Sequence, residues 1–191
     1  MPDPGEAPRR LRRAEAVLAQ RTGRLMVVLE RCADEHNRQA VLRTAEAFGV
    51  QNVALVDAPG LSGGKLSQGV TRGAAAWLDL RRYRDPAECM AALQAEGWTV
   101  WVTELAPGAE AALPGRLAPL PEKLALVFGR EVDGVSAEAI AAAERRLYLP
   151  LAGFTESFNL SVSAALLLQR LFDACPEMRG DLSEAQRAAL R

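Results

Sequence analysis

The chain has 191 residues, 49% of them hydrophobic and 25% charged, with a formal net charge of −1 at pH 7. This length suits one well-buried domain with short extensions, and the balance is that of an ordinary soluble globule. No apolar run approaches the length of a membrane span, the basic N-terminus lacks the apolar stretch of a secretory signal, and Cys32, Cys89 and Cys175 show neither disulfide nor zinc spacing, so a reducing cytoplasm is expected, without membrane or metal.

The charge is unevenly laid out. Between positions 9 and 24 stand Arg9, Arg10, Arg12, Arg13, Arg21 and Arg24, with Glu15 the only acid. A basic helix is expected over about 10–20. Its charges suit either phosphates or a solvated helix face, and composition alone ranks the two equally.

Strands and helices then alternate. A β-like run covers 25–29, a helix 37–48 with Gly49 placed to end it, and a strand 52–56. A Gly/Pro-rich loop over 58–66 precedes a strand at 77–83. Asp85-Pro86 opens a helix that Gly97 closes. A strand at 99–105 leads into an Ala/Pro/Gly-rich loop running to Glu122. The run 124–128 is apolar throughout, as a strand buried on both faces would be. Ser136 starts a helix, 147–151 forms the last strand, and a long apolar helix runs from Ser157 to about Cys175, with a helical tail over 181–191. The alternation implies an α/β fold, a mostly parallel sheet with helices on both faces, whose ligands gather at the C-terminal ends of the strands. That brings together the loops after Leu105, Phe128 and Leu151.

Several common chemistries fail. The loop Gly60-Leu61-Ser62-Gly63-Gly64-Lys65-Leu66 resembles a phosphate loop, but Pro59 stands where the first glycine belongs and Leu66 where Ser or Thr would hold magnesium. No dinucleotide fingerprint follows the first strand. His36 is the single histidine, which leaves no His/Cys cluster, and no nucleophile elbow accompanies it; a structural role suits it better than a catalytic one.

Three local groups remain. In the first, Asn37 is a candidate helix N-cap and Arg43 follows six residues on, which is not the same helix face. In the second, Gly129 and Gly134 bracket Glu131 in the loop after a buried strand, so backbone can approach a ligand closely, or Glu131 can simply pair with a cation. In the third, Pro150 and Gly153 precede Ser157, Asn159 and Ser161 at a helix start, where capping alone would account for them.

Taken together, the order and spacing of these groups over about residues 25–175 resemble the three motifs of the SPOUT-type RNA 2′-O-ribose methyltransferases, the TrmH family. Asn37 and Arg43 match the first motif. Gly129, Glu131 and Gly134 match the second, and Pro150, Gly153, Ser157, Asn159 and Ser161 the third. Phe158 departs from the usual leucine, and Leu151-Ala152 from the common methionine-containing loop.

The resemblance implies a C-terminal deep trefoil knot in the sheet, S-adenosylmethionine bent into the knotted loops, and a homodimer joined through the knot and the last long helix. It implies a basic extension over 1–24, a methyltransferase domain over 25–175 and a helical tail over 176–191. The short extension is most similar to members acting on the guanosine at position 18 of the tRNA D-loop; an rRNA ribose methyltransferase and a non-catalytic knotted RNA-binding module are the alternatives. The implied catalytic group is Asn37, Arg43, Glu131, Ser157 and Asn159. The implied cofactor contacts are Leu105, Gly129, Leu149, Leu151 and Phe158, and the phosphate contacts are Arg9, Arg10, Arg12, Arg13, Lys65 and Arg72. A guanidinium holds its proton too tightly to be a good base. Arg43 is therefore expected to stabilise a developing alkoxide and clamp phosphate rather than to abstract a proton.

Overall fold

The computed structural model describes residues 9–57, 73–130 and 133–190, with the side chains of Arg9 and Arg10 outside that description. The loop over 58–66, Lys65, Arg72 and Glu131 also lie outside the described residues.

The elements run α1 (Arg9–Leu18), β1 (Thr22–Glu30), α2 (Glu35–Ala47), β2 (Val50–Val56), β3 (Asp79–Tyr83), α3 (Pro86–Ala95), β4 (Thr99–Thr103), β5 (Glu110–Ala111), α4 (Pro114–Leu117), β6 (Leu124–Phe128), α5 (Ala137–Ala142), β7 (Ala143–Tyr148), α6 (Leu160–Ala174) and α7 (Glu184–Leu190). The strands form one sheet in the order β3-β2-β1-β6-β4-β7-β5, and every pair is parallel.

Side-chain alternation along the central strands divides the core in two. On β1, Leu25, Val27 and Leu29 point to the face covered by α2, α4 and α6, while Met26 and Val28 point to the face covered by α3 and α5. On β6, Leu124, Leu126 and Phe128 join the first face, and Ala125 and Val127 the second. Both strands are buried on both sides, which is why they are apolar at nearly every position.

Helix ends follow local chemistry. Gly49 (φ +82°) and Gly97 (φ +77°) stand just beyond α2 and α3 in the left-handed conformation that stops a helix. Asp85 caps α3 through Glu88 N (2.8 Å), with Pro86 at the first position.

Several boundaries differ from expectation, and the consequential ones lie in the C-terminal half. The last strand spans 143–148 rather than 147–151, because α5 runs into β7 without an intervening turn. The long last helix begins at Leu160, not Ser157. The loop before Glu122 holds a two-residue strand, β5, and the single turn α4. In addition, Ala164 and Leu168 on α6, the helix expected to join a homodimer, are fully buried in this chain's own core.

The tail docks on the start of the sheet. Asp181 accepts hydrogen bonds from Gly23 N (2.7 Å) and Thr22 Oγ1 (3.0 Å), and Leu182 is buried. No helix among the described residues is long and apolar enough to cross a membrane.

Candidate active site

A cavity of about 480 Å³ opens at the carboxyl ends of β4, β6 and β7. That volume lies within the range of small-molecule sites, about 300–1,000 Å³. Leu105, Gly129, Leu149, Leu151 and Phe158 all line it, and so does Ser157. Parallel strands deliver these residues to one edge because each strand ends at the same side of the sheet.

Gly129 is essential to the wall. A Cβ built there would lie 2.1 Å from the carbonyl carbon of Gly134, so any side chain collides with backbone. The loop closes on itself through Arg130 N to Gly134 O (3.0 Å) and Gly134 N to Arg130 O (2.9 Å). Arg130 Nη1 meets Asp133 Oδ2 at 2.7 Å across the same turn. The walls combine apolar surface with the guanidinium of Arg130 and the carboxylates of Glu104, Asp133 and Glu156. Such a lining suits a small ligand that joins apolar parts to polar ones.

Beside the cavity, α2 and α6 meet at their N-terminal ends. The cap of α2 is Asp34, whose Oδ1 accepts from His36 N (2.7 Å) and Asn37 N (3.1 Å). Asn37, expected as that cap, stands instead in the first turn, which leaves its side-chain oxygen to accept from Asn159 Nδ2 at 2.9 Å. Asn159 is the cap of α6: its Oδ1 accepts from Ser161 N (2.9 Å) and Ser161 Oγ (2.6 Å). One amide thus caps its own helix and bonds the facing one. Ser157 takes no part in the cap and faces the cavity between Glu156 and Phe158.

Arg43 is exposed on α2, outside the cavity lining. Six residues separate it from Asn37, a rise of about 9 Å along a helix axis. Arg12 and Arg13 are exposed on α1. Arg21, by contrast, is buried, with Nη1 3.7 Å from Glu46 and Nη2 donating to Val50 O (3.3 Å). Arg24 donates to the carbonyls of Glu122 and Pro121. The last two arginines of the basic segment therefore support the fold.

Two features of the site were not anticipated. Glu30, at the end of β1, is completely buried and holds Ser136. Glu104 lines the cavity while pairing with Arg146 Nη1 at 3.3 Å. Glu30 ends an apolar strand, and once burial is known the carboxylate must find partners.

Residues 24–169 match the SpoU rRNA Methylase family. The chain is 31% identical over 181 residues to the tRNA (guanosine(18)-2′-O)-methyltransferase of Borreliella burgdorferi, covering 94% of this chain and 81% of that protein. It is 36% identical over 159 residues to the enzyme of the same name from Thermus thermophilus, covering 83% and 79%. The crystal structure of the Aquifex aeolicus TrmH/SpoU tRNA modifying enzyme superposes with a TM-score of 0.81 at 28% identity, covering 95% of this chain and 92% of that one. The matched region takes in all seven strands of the sheet but the first two residues of β1, together with every residue that lines the cavity, and the chain belongs to the SpoU rRNA methylase family.

Proposed function

We propose that the chain transfers a methyl group from S-adenosylmethionine to a ribose 2′-hydroxyl of tRNA, at the position-18 guanosine for which its relatives are named. The observation that carries this reading is the convergence of Leu105, Gly129, Leu149, Leu151 and Phe158 on one cavity, with Ser157 on its wall. Apolar side chains would hold the flat parts of the cofactor, and Glu156 on the lining suits its positive charge.

When bound, S-adenosylmethionine supplies an electrophilic methyl group on a sulfonium. The protein's part is placement and charge stabilisation, since an in-line displacement needs an aligned nucleophile. Asn37 and Asn159, locked together at the cavity's edge, orient the ribose. Ser157 faces the reacting region, and Glu131 joins this group. Arg43 clamps the RNA backbone and stabilises negative charge growing on the 2′-oxygen. Arg9, Arg10, Arg12 and Arg13, with Lys65 and Arg72, contact phosphates and position the RNA without reading its sequence.

The same reading divides the chain into a basic extension (1–24), a methyltransferase domain (25–175) and a tail (176–191), working in the cytoplasm. It takes the C-terminal part of the sheet as a trefoil knot. In support, the loop after β6 is closed so tightly at Gly129 that no side chain fits, and the chain from β7 to α6 passes along the same cavity. It takes the protein as a homodimer joined through α6. In support, Val162 is 43% exposed, and half-buried Ala165 and Leu166 follow it on one helix face.

The test is incubation with labelled S-adenosylmethionine and unmodified tRNA or rRNA transcripts, followed by mapping of the methylated nucleotide. Label at the D-loop guanosine is the expected result. Label in rRNA alone rejects the substrate, and no transfer to either rejects the activity.

A further inference from the structure

Glu30 is a buried carboxylate that lies outside the cavity and is not used by the mechanism above. The register Leu29↔Phe128 between β1 and β6 sets it level with Gly129, where the loop that walls the cavity begins. Its side chain reaches the other end of that loop. Oε1 and Oε2 accept from Ser136 N at 3.0 and 3.2 Å, and Oε2 accepts from Ser136 Oγ at 3.1 Å. Ser136 Oγ in turn accepts from Ala139 N (3.1 Å), the cap of α5. Donating its proton to Glu30 turns the hydroxyl's lone pair toward that cap.

Arg31 completes the clamp. It is the one non-glycine residue with positive φ (+54°) among the described residues, and its N–H donates to Val56 O at 2.8 Å. This turn at the strand end sends the guanidinium back over Glu30, with Nε 3.0 Å from Oε1, and Nη2 donates to Gly134 O at 3.5 Å. Glu138 on α5 repels the carboxylate, and the Cys89 thiol on α3 is pushed up to about 12 by burial first and by Glu30 second.

An isolated carboxylate here would be costly, and an apolar residue would serve the core as well. What a carboxylate adds is acceptor capacity for both the N–H and the O–H of one residue. Between the pinned ends lie Gly129, Arg130, Asp133, Gly134 and Val135, all of which line the cavity. We infer that Glu30, with Arg31, is a positioning residue that holds Gly129 and Arg130 against residues 133–136 at the cavity wall and thereby sets the affinity for S-adenosylmethionine. The inference rests on the reading of the cavity as the cofactor site.

The test compares the wild-type protein with Glu30→Gln and Ser136→Ala by calorimetry with S-adenosylmethionine, by binding of tRNA, and by amide hydrogen exchange across 129–136. The expected result is about tenfold weaker cofactor binding in each variant. Exchange in the loop becomes faster, tRNA affinity stays within about twofold, and kcat at saturating cofactor is retained while its KM rises. The double variant is no weaker than the weaker single one, because both break one path. Should Glu30→Gln not fold, Ser136→Ala carries the same expectations alone. Unchanged cofactor affinity, or equal loss of cofactor and tRNA binding, overturns the inference while leaving the cofactor site standing. A wild-type protein without cofactor heat overturns both.

Discussion

Asn159 donates its side-chain amide to the carbonyl oxygen of Asn37 at 2.9 Å, joining two helix starts that are 122 positions apart in the chain. The bond is possible because Asn37 is relieved of capping α2 and Asn159 bonds through the side-chain atom that its own cap does not use. Asp34 caps α2 in place of Asn37, and Asn159 caps α6 with its other side-chain atom, which leaves Ser157 to the cavity.

Separating the cap from the bond is an experimental matter. Asn159→Ala removes both and should lower stability by about 0.5–2 kcal/mol. Asn37→Ala removes the bond to Asn159 while leaving the cap of α6, and breaking that bond should cost about 0.5–1.5 kcal/mol. Methyl transfer should fall on the order of a hundredfold in both, since each misplaces the substrate. Thermal unfolding beside single-turnover rates checks it; activity that tracks stability alone would assign the pair to the fold.

Gly129→Ala should abolish cofactor binding with little loss of β6. The added methyl would lie 2.1 Å from the Gly134 carbonyl carbon, so the loop must open. Calorimetry with S-adenosylmethionine reads the loss, and a circular dichroism melt shows whether the sheet survives. Binding of ordinary strength would mean that the loop plays no part in holding the cofactor.

Much of this was legible beforehand, and the misses have physical causes. The apolar run 124–128 became β6 residue for residue because burial on both faces leaves no room for polar positions. Gly49 and Gly97 marked helix ends since few other residues adopt positive φ. The cap of α2 was not legible: Asp34 and Asn37 both precede the apolar positions, and the tertiary partner Asn159 decides between them. Nor was β5, for two residues carry no period. The side of α6 that meets the core was also hidden. A helix apolar nearly all round has no preferred face until its neighbours are placed, and so Ala164 and Leu168 turned inward. Glu30 was missed because single acids at strand ends are common and only burial makes this one informative.

Changing Arg43 should separate turnover from folding. The side chain is exposed, so Arg43→Ala should move stability by no more than about 0.5 kcal/mol. If it stabilises charge on the 2′-oxygen, kcat should fall about 10²–10³-fold, with cofactor affinity unchanged. Full turnover in the variant would remove Arg43 from the reaction.

For the basic helix, replacing Arg9, Arg10, Arg12 and Arg13 by alanine should weaken tRNA binding and flatten its salt dependence. Every arginine–phosphate pair removed in this way lowers the slope of log K against log salt by about 0.7–0.9. A titration at several salt concentrations measures it. Unchanged affinity would return α1 to the status of a solvated helix.

Stability should depend on pH through Glu30. Burial raises its pKa above the ordinary carboxylate range, opposed by the Ser136 hydrogen bonds and by Arg31. Below that ordinary range the group is protonated in both folded and unfolded chains and costs nothing. Between the ordinary value and the raised one the folded chain holds the extra proton, so stability falls as pH rises through that window. Urea unfolding at a series of pH values should show this fall in the wild type and a flatter curve in Glu30→Gln. Parallel curves would mean that another group titrates there.

The cavity draws its walls from residue 103 to residue 167, and its neighbouring amide pair needs Asn37 as well. A growing chain therefore finishes β1, β2, β3, β4 and β6 long before it owns a usable site. Ser157, Phe158 and α6 follow all seven strands in the chain, and only with them are the cavity wall and the amide pair complete. Completion of the site is thus tied to completion of α6: a copy that stops short of it lacks both that wall of the cavity and the partner of Asn37.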